Sequence, residues 1–171
     1  MNQKILWGLR ILLLILLVAW MYVIFSMSAQ DGKKSSGTSE KVCREIAHVT
    51  VKDFEKMTEP AKQQVVGKMQ RPVRKMGHMT EYAVLAVIFS ALFLTFSKLR
   101  KKGLWALCSF VGGALYASSD ELHQRFIAGR AGQITDVFID MGGFCIGLLI
   151  VTLVFGIIFL IRKKKQNHLP V

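Results

Sequence analysis

Residues 136–161 read DVFIDMGGFCIGLLIVTLVFGIIFLI, and this stretch decides the class of fold. From position 141 to position 161 it contains no charged residue. A helix needs about 20 such residues to cross the hydrocarbon core of a bilayer. Two acids, Asp136 and Asp140, stand at its start. The stretch therefore predicts a membrane-spanning helix with a negatively charged end.

Three further windows have similar composition, at about 5–26, 76–97 and 104–122. The chain of 171 residues is 52% hydrophobic with a mean hydropathy of +0.39, which is too apolar for a small soluble domain. The first window lacks a small-residue cleavage site, so we interpret it as a retained anchor. The sequence predicts an all-α fold, an integral membrane four-helix bundle that forms one transmembrane domain over residues 1–171.

The charge distribution indicates a lipid partner and an orientation. The net charge is +12, but the basic residues flank the apolar windows and no nucleic-acid motif accompanies them, so we expect anionic lipid and no nucleic acid. The N-terminus, the 98–103 loop and the C-terminal tail carry Lys and Arg but no acid. Their charge density next to the spans favours cytoplasmic N- and C-termini, although raw numbers of Lys and Arg favour the opposite side.

The long loop 27–75 has amphipathic character. Apolar residues recur there at near-helical spacing, at Val42, Ile46, Val49 and Phe54. A second helical piece is predicted from about 60 to 70, and Pro72 suits the first turn of the next helix. We expect both pieces to lie as interfacial helices on the outer membrane surface. The alternative is a solvated loop.

Polar residues cluster at one end of every span. With four spans, the end of the first, the start of the second, the end of the third and the start of the fourth share one side of the membrane. Ionisable groups in membrane helices cost roughly 2.5–3.5 kcal/mol at mid-helix, so they are retained with partners. We expect Arg74, Arg125 and Arg130 to pair with the acids and His78 to pair with one carboxylate. The candidate site comprises Arg74, His78, Glu81, Tyr82, Asp120, Glu121, Gln124, Arg130, Asp136 and Asp140. The alternative is a salt-bridged plug that only fixes helix packing.

Small residues share a helical face with the acids of the last span. Asp136, Asp140, Gly143 and Gly147 follow at steps of four, three and four, and the two glycines form a small-xxx-small pattern that lets a neighbouring backbone approach. We therefore expect the carboxylates to point into the bundle. The same glycines could instead support a homo-oligomer.

Three segments resemble the VanZ-like family of bacterial membrane proteins. They are FSMSAQ at 25–30, RKMGHMTEYAVL at 74–85 and YASSDELHQRFIAGRAGQITDVFIDMGGFCIG at 116–147. The resemblance implies a multi-pass protein of the bacterial cell membrane. It also implies a link to resistance against lipoglycopeptide antibiotics of the teicoplanin type. The family's polar positions fall on the ten candidate residues given above.

Two functions compete most directly. The first is binding of a lipid or lipid-linked precursor head group, with Arg74, Tyr82, Gln124 and Arg130 as substrate-binding residues, because arginine binds phosphate through bidentate hydrogen bonds. The second is a hydrolase or transferase that acts on a lipid-linked phosphate. Its catalytic candidates are His78, Glu81, Asp120 and Glu121.

A divalent cation such as Mg²⁺ belongs to the enzymatic alternative, with Asp136 and Asp140 as candidate ligands. Transport is a weaker third alternative, because proton or ion coupling normally needs ionisable groups near the bilayer midplane. The ionisable groups of this chain stop in the outer third of the predicted bundle.

Overall fold

A computed structural model describes residues 2–130 and 132–167 of the chain. The fold is all-helical, with 87% helix and no strand among the described residues. The all-α prediction is confirmed. A short 3₁₀ helix, Phe54–Lys56, lies in the long loop. The α-helices, in chain order, are α1 (Gln3–Ser28), α2 (Gly32–Thr50), α3 (Glu59–Leu94), α4 (Ser97–Lys101), α5 (Leu104–Gln124) and α6 (Ile134–Asn167).

Three of these helices, α1, α3 and α6, are long and apolar enough to cross a membrane. The predicted third span corresponds to α5, which has 21 residues. It is not among these three, and Asp120 and Glu121 lie in its last turns. The helices thus support an integral membrane protein, and a crossing by α5 stays a prediction.

Helix α3 lies at the centre of the fold and contacts α1, α2, α5 and α6. Helices α1, α3, α5 and α6 share one apolar core. Its fully buried members include Ile24 of α1, Tyr82 and Leu85 of α3, Ala117 of α5 and Phe144 of α6. Much of α1 and α6 remains exposed and apolar, as expected for helices that face acyl chains.

The small residues of α6 allow close packing against α3. A methyl group added at Gly143 would overlap the carbonyl oxygen of Met79, and one added at Gly147 would overlap that of Ala83. The predicted packing role of these glycines is confirmed, with α3 of the same chain as the partner. Asp140 lies on the same face and is only 2% exposed, so its carboxylate points into the protein as expected.

The predicted break at Pro72 is wrong. Helix α3 runs without interruption from Glu59 to Leu94, although a proline inside a helix removes one backbone hydrogen bond. Val66, in the first half of α3, is 1% exposed and packs with Cys43 and Phe54 in a second apolar cluster. This packing holds the first half of α3 in line with the rest, so a helix expected at 60–70 and a span expected to start at 76 are one element.

The long loop does contain a helix, α2, but its predicted apolar face is wrong. Val42 is 45% exposed and Val49 is 88% exposed, whereas the fully buried positions are Cys43 and Ala47. Small side chains allow α2 to lie close to α3. Phe54 is buried as predicted, in the short helix after α2.

Candidate functional site

A cavity of about 440 Å³ opens at the polar end of the helices, and most of the predicted site residues line it. We call it the polar cavity. It is bounded by α3, α5, the start of α6 and the loop between α5 and α6. Its lining residues are Arg71, Arg74, Lys75, His78, Glu121, Gln124, Gly129, Arg130, Gln133, Asp136, Ile139 and Asp140.

Behind the polar cavity, Asp120 joins α5 to the end of α1. Its Oδ2 atom accepts a hydrogen bond of 2.7 Å from the Ser28 hydroxyl and one of 3.1 Å from the Gln124 side-chain amide. All three residues are buried. Asp120 itself does not line the polar cavity, so its carboxylate fixes helix packing and orients Gln124 toward the opening.

Arg130 fastens the loop after α5 onto the end of α1. Its Nε and Nη2 atoms donate to the backbone carbonyls of Gln30 and Met27, at 3.0 Å and 3.1 Å, and its Nη1 atom donates to Gln124 Oε1 at 3.2 Å. Burial lowers the pKa of the Arg130 guanidinium from its ordinary value, and the neighbouring Arg74 lowers it further. The expected arginine–acid ion pair is replaced here by bonds to carbonyl and amide oxygens.

Two glycine contacts hold the same loop against the start of α2. The Gly32 amide donates to the carbonyl of Ala128 at 3.1 Å, and a methyl group on Gly32 would overlap the backbone of Gly129. Gly129 has φ +74°, a conformation that L side chains rarely adopt. Further along, Glu121 Oε2 accepts the Gln133 amide at 3.1 Å. The wall of the polar cavity is therefore fixed by backbone contacts.

The cations that line the polar cavity differ in their partners. Lys75 pairs with Asp136 at 3.1 Å, in a position where an arginine was expected. Arg125, the other expected arginine partner, is exposed and outside the polar cavity. Within the described part of the chain, the half-buried Arg74 side chain has no hydrogen bond or ion pair. Arg74 is thus a cation beside Arg130 with no acidic partner in the described part of the chain.

Several acid–base groups near the polar cavity are buried without hydrogen-bond partners. The Oδ2 atom of Asp140 is one of them, although this residue lines the polar cavity. His78 and Glu81 form the expected histidine–carboxylate pair at 3.5 Å, but the geometry falls short of a hydrogen bond. Because buried polar atoms are nearly always hydrogen-bonded, each unpaired atom calls for an explanation such as a ligand or water.

Besides Asp120, two predicted residues do not line the polar cavity. Tyr82 is fully buried in the apolar core, where its ring centre is 6.2 Å from that of Tyr116. Glu81 lines a smaller neighbouring cavity of about 200 Å³, which shares Arg74, His78 and Arg130 with the polar cavity. The ten predicted residues are therefore close together but do not all face one opening.

Sequence reasoning missed Arg71, Lys75 and Gln133 as lining residues. Arg71, Lys75 and His78 follow at steps of four and three, so helical spacing could have grouped them. The expectation that a new helix starts near Pro72 separated Arg71 from the others. Gln133 carries no such signal, because its contact with Glu121 is made by its backbone amide and not by its side chain.

A metal site is not evident among the described residues, where no three His, Cys, Asp or Glu side chains are placed to hold an ion. Asp136 already pairs with Lys75. The alternative of a divalent cation at Asp136 and Asp140 stays a prediction.

Comparison with known proteins identifies a family for the chain. A sequence model described as VanZ/LLP1 matches residues 13–157, which include every residue that lines the polar cavity. No curated protein and no solved structure matches the chain. Since the match spans most of the sequence, the chain belongs to the VanZ/LLP1 family.

Proposed function

We propose that this protein is a four-span protein of the bacterial cell membrane that binds the anionic head group of a lipid or lipid-linked envelope precursor. Both termini lie in the cytoplasm, and the polar cavity opens at the outer leaflet. One observation carries the proposal: Arg74 lies in the wall of the polar cavity with no anionic partner among the described residues. A phosphate would supply that partner.

Arg74 suits a ligand better than Arg130 does. Three nitrogen atoms of Arg130 already donate to protein oxygens, whereas the planar fork of Arg74 is available for a bidentate bond to phosphate. Burial lowers the pKa of Arg130 most, and repulsion by the Arg74 guanidinium lowers it further. An anion between them would relieve this repulsion. Arg130 then positions the wall and Gln124, and Arg74 binds the head group, with Arg71 adding positive charge at the opening.

The outer surface of α2 fits contact with lipid. Val42 and Val49 of α2 are 45% and 88% exposed, and Val42 lines the smaller neighbouring cavity, so both would enter the membrane interface near the polar cavity. A lipid could then present its head group to Arg74 while its chains stay in the bilayer. We propose that retention of such a lipid changes how a lipoglycopeptide antibiotic reaches its target, which accounts for the family's link to resistance.

The experiment is native mass spectrometry of the protein released from mild detergent, compared with Arg74→Gln. The wild type should retain phospholipid, and Arg74→Gln should lose most of it. The matched control is Lys68→Gln, which removes one positive charge from the exposed surface of the same helix, outside the cavities described above. Equal retention by all three proteins would contradict head-group binding at Arg74.

A hydrolase or transferase acting on a lipid-linked phosphate is the second candidate. The observation that favours it is the pair of His78 and Glu81, 3.5 Å apart, with the buried Asp140 lining the same polar cavity as His78. Such groups can move protons to and from a reacting phosphate ester. Turnover of labelled polyprenyl phosphate by wild type but not by His78→Ala would support catalysis. Absence of product at stoichiometric enzyme, with and without added Mg²⁺, would exclude it for that substrate.

A further inference from the structure

The polar cavity contains a second unpaired group, of opposite charge to Arg74. Asp140 is 2% exposed and lines the polar cavity, and its Oδ2 atom has no hydrogen-bond partner. The other two acids in the wall have partners, since Glu121 accepts the Gln133 amide and Asp136 pairs with Lys75. Asp140 therefore contributes to the cavity wall a buried carboxylate that has no hydrogen-bond partner on Oδ2.

A bare phosphate satisfies Arg74 but not Asp140. A phosphate oxygen accepts hydrogen bonds, as the ionised Asp140 carboxylate does, so the two would repel each other. A ligand that satisfies both side chains needs an anionic group for Arg74 and an N–H or O–H group for Asp140. The polar cavity, at about 440 Å³, has room for both groups.

We propose that the ligand is a phosphodiester whose head group also carries a hydroxyl or ammonium donor, and that this donor binds Asp140. The inference rests on the proposed function and narrows its ligand class. Arg74 selects for phosphate, and Asp140 selects among phosphates for those with a donor. Because an unmet buried acceptor is unfavourable, the site discriminates against lipids that lack the donor.

The test uses the full-length protein in nanodiscs and lipids with the same acyl chains. Phosphatidylglycerol and phosphatidylethanol are both phosphodiesters with one negative charge, but only the first has hydroxyl donors. We expect about tenfold tighter binding of phosphatidylglycerol, which corresponds to ~1.4 kcal/mol. Phosphatidylethanolamine tests whether an ammonium group can serve as the donor. A preference for either donor-bearing lipid supports the proposal.

Asp140→Leu removes the acceptor and keeps a similar side-chain size. In this variant the preference should fall to about onefold, because phosphatidylethanol no longer leaves a buried acceptor unmet and phosphatidylglycerol loses its bond to Asp140. A wild type that binds all three lipids equally would overturn the inference and leave phosphate binding intact, as would a tenfold preference that persists in Asp140→Leu. A wild type that binds none of them would overturn the proposed function itself.

Discussion

The Ser28 hydroxyl donates a hydrogen bond of 2.7 Å to Oδ2 of Asp120, which ties the last residue of α1 to the polar end of α5. Both side chains are buried. The bond links two segments that are 92 residues apart, so it fixes the tertiary arrangement and not a local turn. The polar cluster is therefore partly structural, and its members divide into groups that hold the helices and groups that face the polar cavity.

Replacing Ser28 by Ala should destabilise the protein by about 1–3 kcal/mol, because the buried Asp120 carboxylate loses its shortest hydrogen bond. The matched control is Ser26→Ala, whose exposed hydroxyl bonds only to the Val23 carbonyl of its own helix. Thermal unfolding in the same detergent measures the stability of both variants. Equal midpoints for the two variants would contradict a structural role for the Ser28–Asp120 bond.

Replacing Gly143 by Ala should force α6 away from α3, because the added methyl group would overlap the backbone of Met79. Such overpacking costs roughly 1–3 kcal/mol. Gly142→Ala is the control, since a methyl group there meets nothing within 4 Å. Thermal unfolding should separate the two neighbours clearly. If Gly143→Ala instead left stability unchanged and altered only the oligomeric state, the contact with α3 would be wrong.

Replacing Arg130 by Gln should release the loop between α5 and α6. The variant loses three charge-assisted hydrogen bonds. A hydrogen bond that involves a charged group stabilises a folded protein by about 1.5–3 kcal/mol when it is measured singly. Hydrogen exchange of the 125–133 backbone amides should become faster. Arg125→Gln, which changes an exposed arginine in the same loop, should leave exchange close to the wild-type rate. Unchanged exchange in Arg130→Gln would show that the loop is held by other contacts.

Much of the site could be predicted from sequence because four predicted spans imply a parity. The polar ends of successive spans have to meet on one side, and the structure does bring Arg74, His78, Glu121 and Asp136 to one cavity. Helical spacing also placed Asp140 on the same face as Gly143. These inferences depend only on span order and helical period, which tertiary packing does not change.

The errors have a common physical origin in helix-to-helix packing. Hydrophobic periodicity selects large residues, so it selected Val42 and Val49, whereas α2 packs through Cys43 and Ala47, which allow a closer approach. Pro72 was interpreted as a helix start because proline is favoured in a first turn. Contacts made by the residues before it keep α3 continuous, and a single sequence does not show those contacts.

The orientation can be measured with single cysteines in a chain whose three native cysteines have been replaced. Val49→Cys, exposed on α2, should react with a membrane-impermeant maleimide in intact cells. Lys101→Cys, exposed on α4, should react only after permeabilisation. The native Cys43 would be a poor probe, because burial raises the pKa of its thiol and hides it from reagent. The reverse labelling pattern would place both termini outside.

An experimental structure in nanodiscs that contain phosphatidylglycerol tests the central claim most directly. Head-group binding predicts density for a phosphate in the polar cavity, with its oxygen atoms about 2.7–2.9 Å from the guanidinium nitrogens of Arg74. The same map for Arg74→Gln should lack that density. A wild-type cavity that contains only water, with lipid phosphates confined to the outer surface of the helices, would contradict the claim.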